Sequence, residues 1–466
     1  MAIFKSKAKS DNKTTAVDMT KGFIPKLLLF FCVPLILGNF FQVLYNTVDT
    51  MVVGNFVGKE ALAAVGSTTQ IINIAVFCFN GISVGAGVVI GQYFGAGDLK
   101  RLHISVETTM AMTFIASIFF TALGVAGTPL MLRLISTPDD VMDAAVIYLR
   151  IYFAGISGLL VYNMGSGILR AVGDSKRPLY FLILSSFMNI ALDLLFVVVF
   201  KQGIAGAAIA TIISQFVSAA LVLILLSRSE DIYRLTWKDM GIDMPILKKI
   251  LAVGLPAGFQ SMITAFSNSF VQAYINNFGS AVMAGWGCYN KLDQMVMLPL
   301  QSMGHATTTF VSQNIGAGEE RRANHGTFIA VSMIVIFNFC AGCLLILLAR
   351  PAVEMFSSDR DVIESGVSFI KAISLFFMVN GINHSLAGSM RGRGDSNGPM
   401  VIMIVCFVFV RQLYLFFITK IIPNDPVVIG LGYPVGWTAC CITELIYFKI
   451  RHLDGKHLHS HKEARL

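Results

Sequence analysis

Two carboxylates stand out because each lies inside a long apolar segment of the chain. They are Asp49, in the first such segment, and Asp193, in the fifth. An ionisable group at the centre of a bilayer costs roughly 2.5 to 3.5 kcal/mol on insertion scales, so each needs a partner or a function. Burial and mutual repulsion would favour a protonated form, as in a proton carrier. Two carboxylates with Asn and Thr oxygens could equally hold Na⁺, and no other metal site is predicted.

The first apolar segment carries a row of polar residues at helical spacing. Asn39, Gln42, Asn46 and Asp49 are separated by three, four and three residues, which predicts one polar face. Lipid is an unfavourable neighbour for that face, and the first three residues are candidates for lining a substrate cavity. Pro34 precedes them and, because proline removes a backbone hydrogen bond, it predicts a site where this helix can bend.

Polar residues on three further segments extend this pattern. Asn189 lies four residues before Asp193 and therefore stacks on it in a helix. Thr211 belongs to a polar face of the sixth segment, and Asn163 of the fourth segment is a further candidate. Together with Asp49 these residues predict a polar chamber in the first half of the chain that handles protons or cations. A structural polar network is the alternative.

The elements that must position these residues are membrane helices. Of the 466 residues, 55% are hydrophobic and 13% charged, against roughly 25% charged in an ordinary soluble domain. A helix needs roughly 20 apolar residues to cross a bilayer, and about twelve segments are long enough. The sequence predicts an all-α membrane protein with spans at 27–54, 61–93, 105–133, 141–169, 178–200, 204–227, 248–276, 281–310, 326–350, 363–389, 399–420 and 430–450.

The basic residues predict the orientation of these spans. With the N-terminus in the cytoplasm, 25 of the 35 Lys and Arg fall in cytoplasmic segments and six in outside loops. This follows the positive-inside rule and predicts a multi-pass protein of the bacterial inner membrane with both termini cytoplasmic. The net charge of +8 therefore reflects topology, and no nucleic-acid partner is predicted.

The chain repeats itself at an offset of 221 residues. QYFGAGDLKR from Gln92 matches QNIGAGEERR from Gln313, and RAVGDSKRP from Arg170 matches RGRGDSNGP from Arg391. Six spans per half give both halves the same orientation, with a cleft between them. We predict an N-lobe at 24–227, a linker at 228–247 and a C-lobe at 248–450, with cytoplasmic tails at 1–23 and 451–466.

The paired motifs predict tight turns. Glycine supplies the positive φ that ends one helix, and Asp174 and Asp395 are expected to cap the helices that follow. A structural role is favoured over a role in gating.

These features together resemble the multidrug and toxic compound extrusion (MATE) transporters, from about Ile24 to Ile450. The similarity rests on PLILGNFFQVLYNTVDTMVVG in the first segment, the paired QxxGAG and RxxGDS motifs, and the duplicated twelve-helix plan. It implies two six-helix bundles related by a pseudo-two-fold axis along the membrane normal. It also implies a transporter rather than an enzyme, which exports cationic or amphipathic drugs by antiport against H⁺ or Na⁺ and needs no cofactor.

Within this family the chain is similar to the DinF-like branch. That similarity implies an N-lobe site at Asp49, Asn189, Asp193 and Thr211, and a bend of the first helix at Pro34 as the site changes its proton load. The NorM-like branch has carboxylates on helices 7 and 10 of the C-lobe, and this sequence has none there.

Four charged residues remain inside the C-lobe segments. They are Lys291, Asp293, Arg411 and Glu444, whose charges sum to zero, so they are expected mainly to pair with one another. Asp293 is the best candidate among them for drug or proton handling.

The closest rival function is a lipid-linked sugar flippase of the same superfamily. Such proteins often have fourteen spans and a strongly basic central cavity, neither of which the sequence shows. An intramembrane enzyme is disfavoured because no nucleophile or metal motif is present, and a channel is disfavoured by the two-lobe repeat. We expect a monomer whose partners are small drugs and membrane lipids. The sequence leaves open the drug spectrum, H⁺ against Na⁺, and the face that is open.

Overall fold

The described residues, 17–228 and 231–454 of this computed structural model, are helical almost throughout and contain no strand, which confirms the all-α class. A short helix, Ala349–Glu354, joins the ninth and tenth long helices. The long helices are α1 (Ile24–Phe56), α2 (Lys59–Ala96), α3 (Leu99–Leu134), α4 (Asp139–Ala154 and Ile156–Ala171), α5 (Lys176–Val199), α6 (Gly203–Arg228), α7 (Met244–Phe278), α8 (Ser280–Gly316), α9 (Glu320–Leu347), α10 (Arg360–Gly392), α11 (Asn397–Ile421) and α12 (Pro426–Leu453).

Hydropathy and length identify a multi-pass membrane protein. Ten of these helices are long and apolar enough to cross a bilayer, and α4 is an eleventh when its two halves count as one span. The remaining helix, α8, has 37 residues, but Lys291 and Asp293 interrupt its apolar sequence. Every predicted span corresponds to one observed helix, and the predicted ends differ from the observed ends by about six residues at most.

The fourth span is not the continuous helix that the sequence predicts. Its two halves meet at Gly155 with a bend of 47°. A Cβ at Gly155 would overlap the side chain of Ile212 on α6. Glycine therefore allows α6 to approach the bend closely, and hydropathy alone does not reveal this.

The helices form two lobes, and apolar clusters lie both within each lobe and between them. In the first half, one core surrounds Phe79 and Leu149 and a second surrounds Met110 and Ile168. In the second half, the main core surrounds Trp286, which packs edge to face against Phe369 with the ring centroids 4.9 Å apart. A further apolar cluster joins α1 of the N-lobe to α8 and α9 of the C-lobe, so the two lobes also share buried apolar surface.

The predicted linker packs onto the N-lobe. Tyr233 is fully buried, and its hydroxyl accepts a hydrogen bond from Arg177 Nη1 at 3.0 Å. Thr236 Oγ1 donates to Glu107 Oε1 of α3 at 2.7 Å. We call the end of the molecule that carries this segment, residues 231–243, the linker face.

The two lobes meet most closely where α2 crosses α7. Gly81 and Gly85 of α2 face Gly254 and Gly258 of α7, and a Cβ at Gly85 would overlap the carbonyl oxygen of Ile250. Small residues at such a spacing let two membrane helices approach backbone to backbone. The contact lies in the half of the molecule nearer the linker face.

Candidate ion-coupling site and inter-lobe clasp

Asp49 and Asp193 lie side by side within the N-lobe, although 143 residues separate them in sequence. Asp193 is fully buried, Asp49 is 8% exposed, and their carboxyl groups interact directly. Neither oxygen of Asp193 receives a hydrogen bond, nor does Oδ1 of Asp49. Two adjacent carboxylates with so few donors repel each other unless a proton or a cation lies between them. The pair sits about two turns from the end of α1 that is remote from the linker face.

Asn189 and Thr211 connect this pair to the wall of the lobe. Asn189 lies one turn before Asp193 on α5, and its Nδ2 donates to Thr211 Oγ1 of α6 at 3.4 Å. The threonine hydroxyl in turn donates to the carbonyl of Ala207 at 3.1 Å. The side-chain oxygen of Asn189, Oδ1, receives no hydrogen bond. This oxygen is therefore available to a proton donor or a cation.

A small polar cavity adjoins these residues between α1, α4, α5 and α6. Its volume is about 40 Å³. A buried water needs roughly 10 to 15 Å³ of such space, so the cavity has room for a few waters, whereas drug pockets measure roughly 300 to 1,000 Å³. The sequence-predicted residues that line it are Gln42, Asn163, Asn189 and Thr211. In this conformation the cavity can carry protons or a small ion, but not a drug.

Buried tyrosines complete the chamber, and the sequence reasoning missed them. Tyr148 and Tyr152 stack one turn apart on α4, with ring centroids 6.4 Å apart, and both interact electrostatically with Asp49. Gln215 Nε2 donates to the hydroxyl of Tyr152 at 3.4 Å. Their spacing of four residues inside an apolar segment was the available signal. Tyr45, one turn before Asp49, also lines the cavity.

The predicted polar face of α1 does not all point into the chamber. Asn39 Nδ2 donates to Ser302 Oγ of α8 at 3.4 Å, across the interface between the lobes, and Asn46 is exposed. At about 100° per residue, Asn39 and Asn46 lie within about 20° of each other around α1. Gln42 and Asp49 also lie within about 20° of each other, about 60° away from the first two, and only these two reach the chamber and its acidic end. Pro34 is buried in α1, which continues unbroken through it.

Asp293 lies in the C-lobe, apart from the acidic pair, and accepts a hydrogen bond from Tyr289 at 3.3 Å. The expected pairing among the four C-lobe charges is not found among the described ion pairs. Arg411, which is 1% exposed, donates to Asn268 Oδ1 at 2.9 Å and lies 5.0 Å from the ring centroid of Tyr433. Helix α7 carries no carboxylate at this position, and the neutral amide oxygen of Asn268 accepts the hydrogen bond from the buried cation.

Lys291 and Glu444, the other two of these charges, are also separate. Lys291 lies over the ring of Phe356, 5.5 Å from its centroid. Glu444 is fully buried, and neither of its carboxylate oxygens receives a hydrogen bond.

The paired QxxGAG motifs join the two lobes near the linker face. Gln92 Nε2 donates to the carbonyl of Gly392 at 3.1 Å, and Gln313 Nε2 donates to the carbonyl of Ala171 at 2.8 Å. Each glutamine thus binds the RxxGDS segment of the opposite lobe. We call these two hydrogen bonds the clasp. The motifs were expected chiefly to form turns, and their spacing also serves this contact.

Glycines allow the clasp to close. A Cβ at Gly95 would overlap the carbonyl oxygen of Gln313, and one at Gly316 would overlap that of Gln92. The turn roles that the sequence predicts are present as well, because Asp174 Oδ1 accepts from the amide of Lys176 at 3.1 Å. The paired motifs therefore cap helices and hold the lobes together.

A segment before α1 crosses the same interface. The amide of Met19 donates to Gln313 Oε1 at 2.9 Å, and Arg322 Nη2 donates to the carbonyl of Gly22 at 2.9 Å. On the N-lobe side, Gly173 packs against the backbone of Val17. Residues 17–22 thus bridge both lobes, whereas most of the predicted tail, residues 1–16, lies outside the described residues.

Two helical lobes that meet at one face, with a buried acidic pair inside one of them, define a membrane transporter. The MatE family model matches residues 34–195 and 256–414, and the chain belongs to this family of transporters. The match falls on corresponding parts of the two lobes.

Known relatives cover most of the chain. The probable multidrug resistance protein YpnP of Bacillus subtilis is 29% identical over 91% of this chain and 95% of its own length. A protein of Shewanella oneidensis named FAD transporter is 24% identical over 73% of this chain and 76% of its own length.

A solved structure shares the fold. A multidrug resistance MATE family transporter of the MOP superfamily, in an outward-facing conformation, superposes with a TM-score of 0.88. It is 21% identical, and the match covers 95% of this chain and 99% of the other. At this identity the similarity supports the architecture of two lobes and not the substrate.

Proposed function

We propose that this protein exports amphipathic drugs, mainly cationic ones, across the bacterial plasma membrane by antiport against protons. The observation that carries the proposal is the contact between Asp49 and Asp193, because three of their four carboxylate oxygens receive no hydrogen bond. A proton bound between the two carboxyl groups removes their repulsion, and its release restores it. The lobe that surrounds the pair thereby has two electrostatic states, which is what coupling to an ion requires.

We assign the linker face to the cytoplasm, because most Lys and Arg lie in segments at that face. The clasp then closes the cytoplasmic side, and this conformation faces outward. The acidic pair, remote from the linker face, is on the side from which protons enter. Drug would leave in this state, and proton binding would favour return to the state that opens inward.

The substrate class is supported by the names of relatives, since YpnP is a probable multidrug resistance protein. One proton that enters in exchange for an uncharged drug moves one charge down a potential of about 100 mV. This yields roughly 2.3 kcal/mol, which corresponds to a drug gradient of about 50-fold. Exchange of one proton for a singly charged cationic drug is electroneutral, so the pH gradient alone drives it. We expect the protein to act as a monomer, because each monomer contains a complete chamber and clasp.

Transport in everted membrane vesicles tests the proposal. An outward-directed proton gradient, with the vesicle lumen acidic, should drive accumulation of ethidium in vesicles that contain the wild type. Asp49→Asn and Asp193→Asn should each abolish this accumulation. Asp140→Asn, an exposed carboxylate of α4 in the same lobe, is the matched control and should transport normally.

A Na⁺ gradient in place of the proton gradient identifies the ion. If only the Na⁺ gradient drives accumulation, Na⁺ is the coupling ion in place of the proton, and the acidic pair remains the proposed site. Full accumulation of ethidium by both Asp49→Asn and Asp193→Asn would show that the acidic pair does not couple transport.

A further inference from the structure

Two arginines lie next to the clasp, one from each lobe. Arg170 immediately precedes Ala171, and Arg391 immediately precedes Gly392, the two residues whose carbonyls accept the clasp hydrogen bonds. The two arginines are repeat counterparts, 221 residues apart. Closing the clasp therefore fixes both arginines at the base of the cleft between the lobes.

Two histidines belong to the same region. Gly304 of α8 packs on the backbone of His384 of α10, so a Cβ there would lie 3.0 Å from the histidine carbonyl oxygen. His305, next in sequence, interacts electrostatically with His384 and with both Arg170 and Arg391. The side chain of His305 is exposed, and those of His384, Arg170 and Arg391 are partly exposed. Four basic side chains thus converge where solvent can reach them.

The charges of the two arginines are balanced differently. Arg391 Nη1 donates to Gln260 Oε1 at 3.3 Å, and the buried carboxylate of Glu444 interacts with it. The side chain of Arg170 has neither a hydrogen bond nor an ion pair with any residue in the described part of the chain. Its electrostatic interactions are with Tyr162 and His305, neither of which is a carboxylate. The region therefore carries an uncompensated positive charge at Arg170.

We propose that Arg170, Arg391, His305 and His384 form a binding site for amphipathic anions, molecules with a carboxylate, phosphate or sulfonate on an apolar body. Arginine binds such groups in two-pronged geometry, and imidazole N–H groups add donors. Arg170 is the main contact because no protein carboxylate competes for it. Each lobe supplies half of the site, so the site is complete only while the clasp is closed.

This site adds a second substrate class to the proposed drug export and does not depend on the acidic pair. The anion can come from a soluble compound or from the headgroup of an acidic lipid. Equilibrium binding without an ion gradient separates it from coupling, and Asp49→Asn protein, deficient in antiport, should bind anions as the wild type does.

The test is fluorescence anisotropy of carboxyfluorescein with the full-length protein in a neutral detergent at low salt. Wild-type protein should bind the dye saturably, and Arg170→Gln should weaken binding about tenfold or more, since it removes a charged hydrogen-bond donor. Arg170→Lys keeps the charge and should lose about threefold or less. Arg133→Gln, an exposed arginine at the opposite face, is the matched control and should bind normally.

Two further measurements complete the design. Ethidium binding by Arg170→Gln should equal that of the wild type, which shows that the variant is folded; should it fail to fold, Arg170→Lys and Arg391→Gln provide the comparison. Soluble dioctanoyl phosphatidic acid serves as a competitor. Displacement of the dye from the wild type assigns lipid headgroups to the site, and lack of displacement assigns soluble anions alone. Undetectable dye binding by the wild type, or equal binding by wild type and Arg170→Gln, would overturn the proposal.

Discussion

Gln313 holds three parts of the molecule together through one side chain. Its Nε2 donates to the carbonyl of Ala171 in the other lobe, while its Oε1 accepts from the amide of Met19. The residue is fully buried, so neither bond is easily replaced by water. The stability of the closed linker face therefore depends on this side chain more than on its counterpart Gln92.

Replacement of Gln313 by alanine should open the linker face. Losing these hydrogen bonds costs about 1 to 2 kcal/mol, which shifts the balance between closed and open states by a factor of roughly 5 to 30. Distances between spin labels at Lys176→Cys and Glu320→Cys, in a background without the eight native cysteines, should lengthen. Gln294→Ala, at an exposed position of α8, should leave the distances unchanged. An unaltered distribution in Gln313→Ala would rule out a closing role for the clasp.

Gly85→Ala should destabilise the contact between the lobes. Its new methyl group would overlap the carbonyl oxygen of Ile250, and overpacking of this kind costs roughly 1 to 3 kcal/mol. The thermal midpoint in detergent should fall. Gly87→Ala is the matched control on the same helix, because its Cβ would lie 3.8 Å from the carbonyl oxygen of Gly167, an ordinary van der Waals distance. Equal midpoints for the two variants would contradict the close approach of α2 and α7.

Asn268→Ala should destabilise the C-lobe. Arg411 is buried and would lose the acceptor at 2.9 Å, and hydrogen bonds to charged groups contribute about 1.5 to 3 kcal/mol. Asn268→Asp supplies a carboxylate acceptor in its place and should recover the thermal midpoint. Gln272→Ala, one turn further along α7, should have little effect because its partner Asn276 is exposed. A midpoint that alanine at 268 does not lower would show that Arg411 is held by other contacts.

Asp395 should make the stability of the C-lobe sensitive to acid. Burial raises the pKa of Asp395, but donors at His452, Tyr447 and the amide of Gly398 outweigh that effect and hold the pKa below its usual value. A lowered folded-state pKa contributes stability above the unfolded value of about 3.9, and that contribution is lost as the pH falls through the folded value.

Because the pKa of Asp395 is lowered in the folded protein, the wild type and Asp395→Asn should differ in stability near neutral pH. The wild type should melt at a higher temperature near pH 7, and the difference should shrink below about pH 4. Asp140→Asn is the control, since its side chain is exposed. A difference that grows as the pH falls would reverse the assignment.

Sequence patterns predicted the helix plan well. The length of each apolar segment identifies a helix, and the 221-residue offset relates each helix to its counterpart in the other half. The proximity of Asp49 and Asp193 was also predictable, since a carboxylate within an apolar segment needs a polar or ionisable partner. The orientation of Asn39 was not, because a step of three residues falls about 60° short of a full helical turn and so separates Asn39 and Asn46 from Gln42 and Asp49. Tyr148 and Tyr152 were missed because tyrosine fits the apolar count of a span and gives no charge signal.

Contacts between the lobes were beyond the sequence for a different reason. The motif around Gln92 is fully explained as a turn, so nothing in it demands a partner 300 residues away. The separation of Lys291, Asp293, Arg411 and Glu444 was missed because a zero sum of charges says nothing about distance. Arg411 instead uses the neutral oxygens of Asn268 and Ser267, which a count of charges ignores.

The reciprocity of the clasp has an evolutionary consequence. Each half offers a glutamine donor and a carbonyl acceptor, and each uses both on the other half, which is the pattern of an isologous interface. A six-helix ancestor with these features could have paired with a second copy of itself through the same two bonds. After fusion into one gene, the two halves no longer had to share one sequence. The first half could then keep its acidic residues while the second acquired an internal arginine.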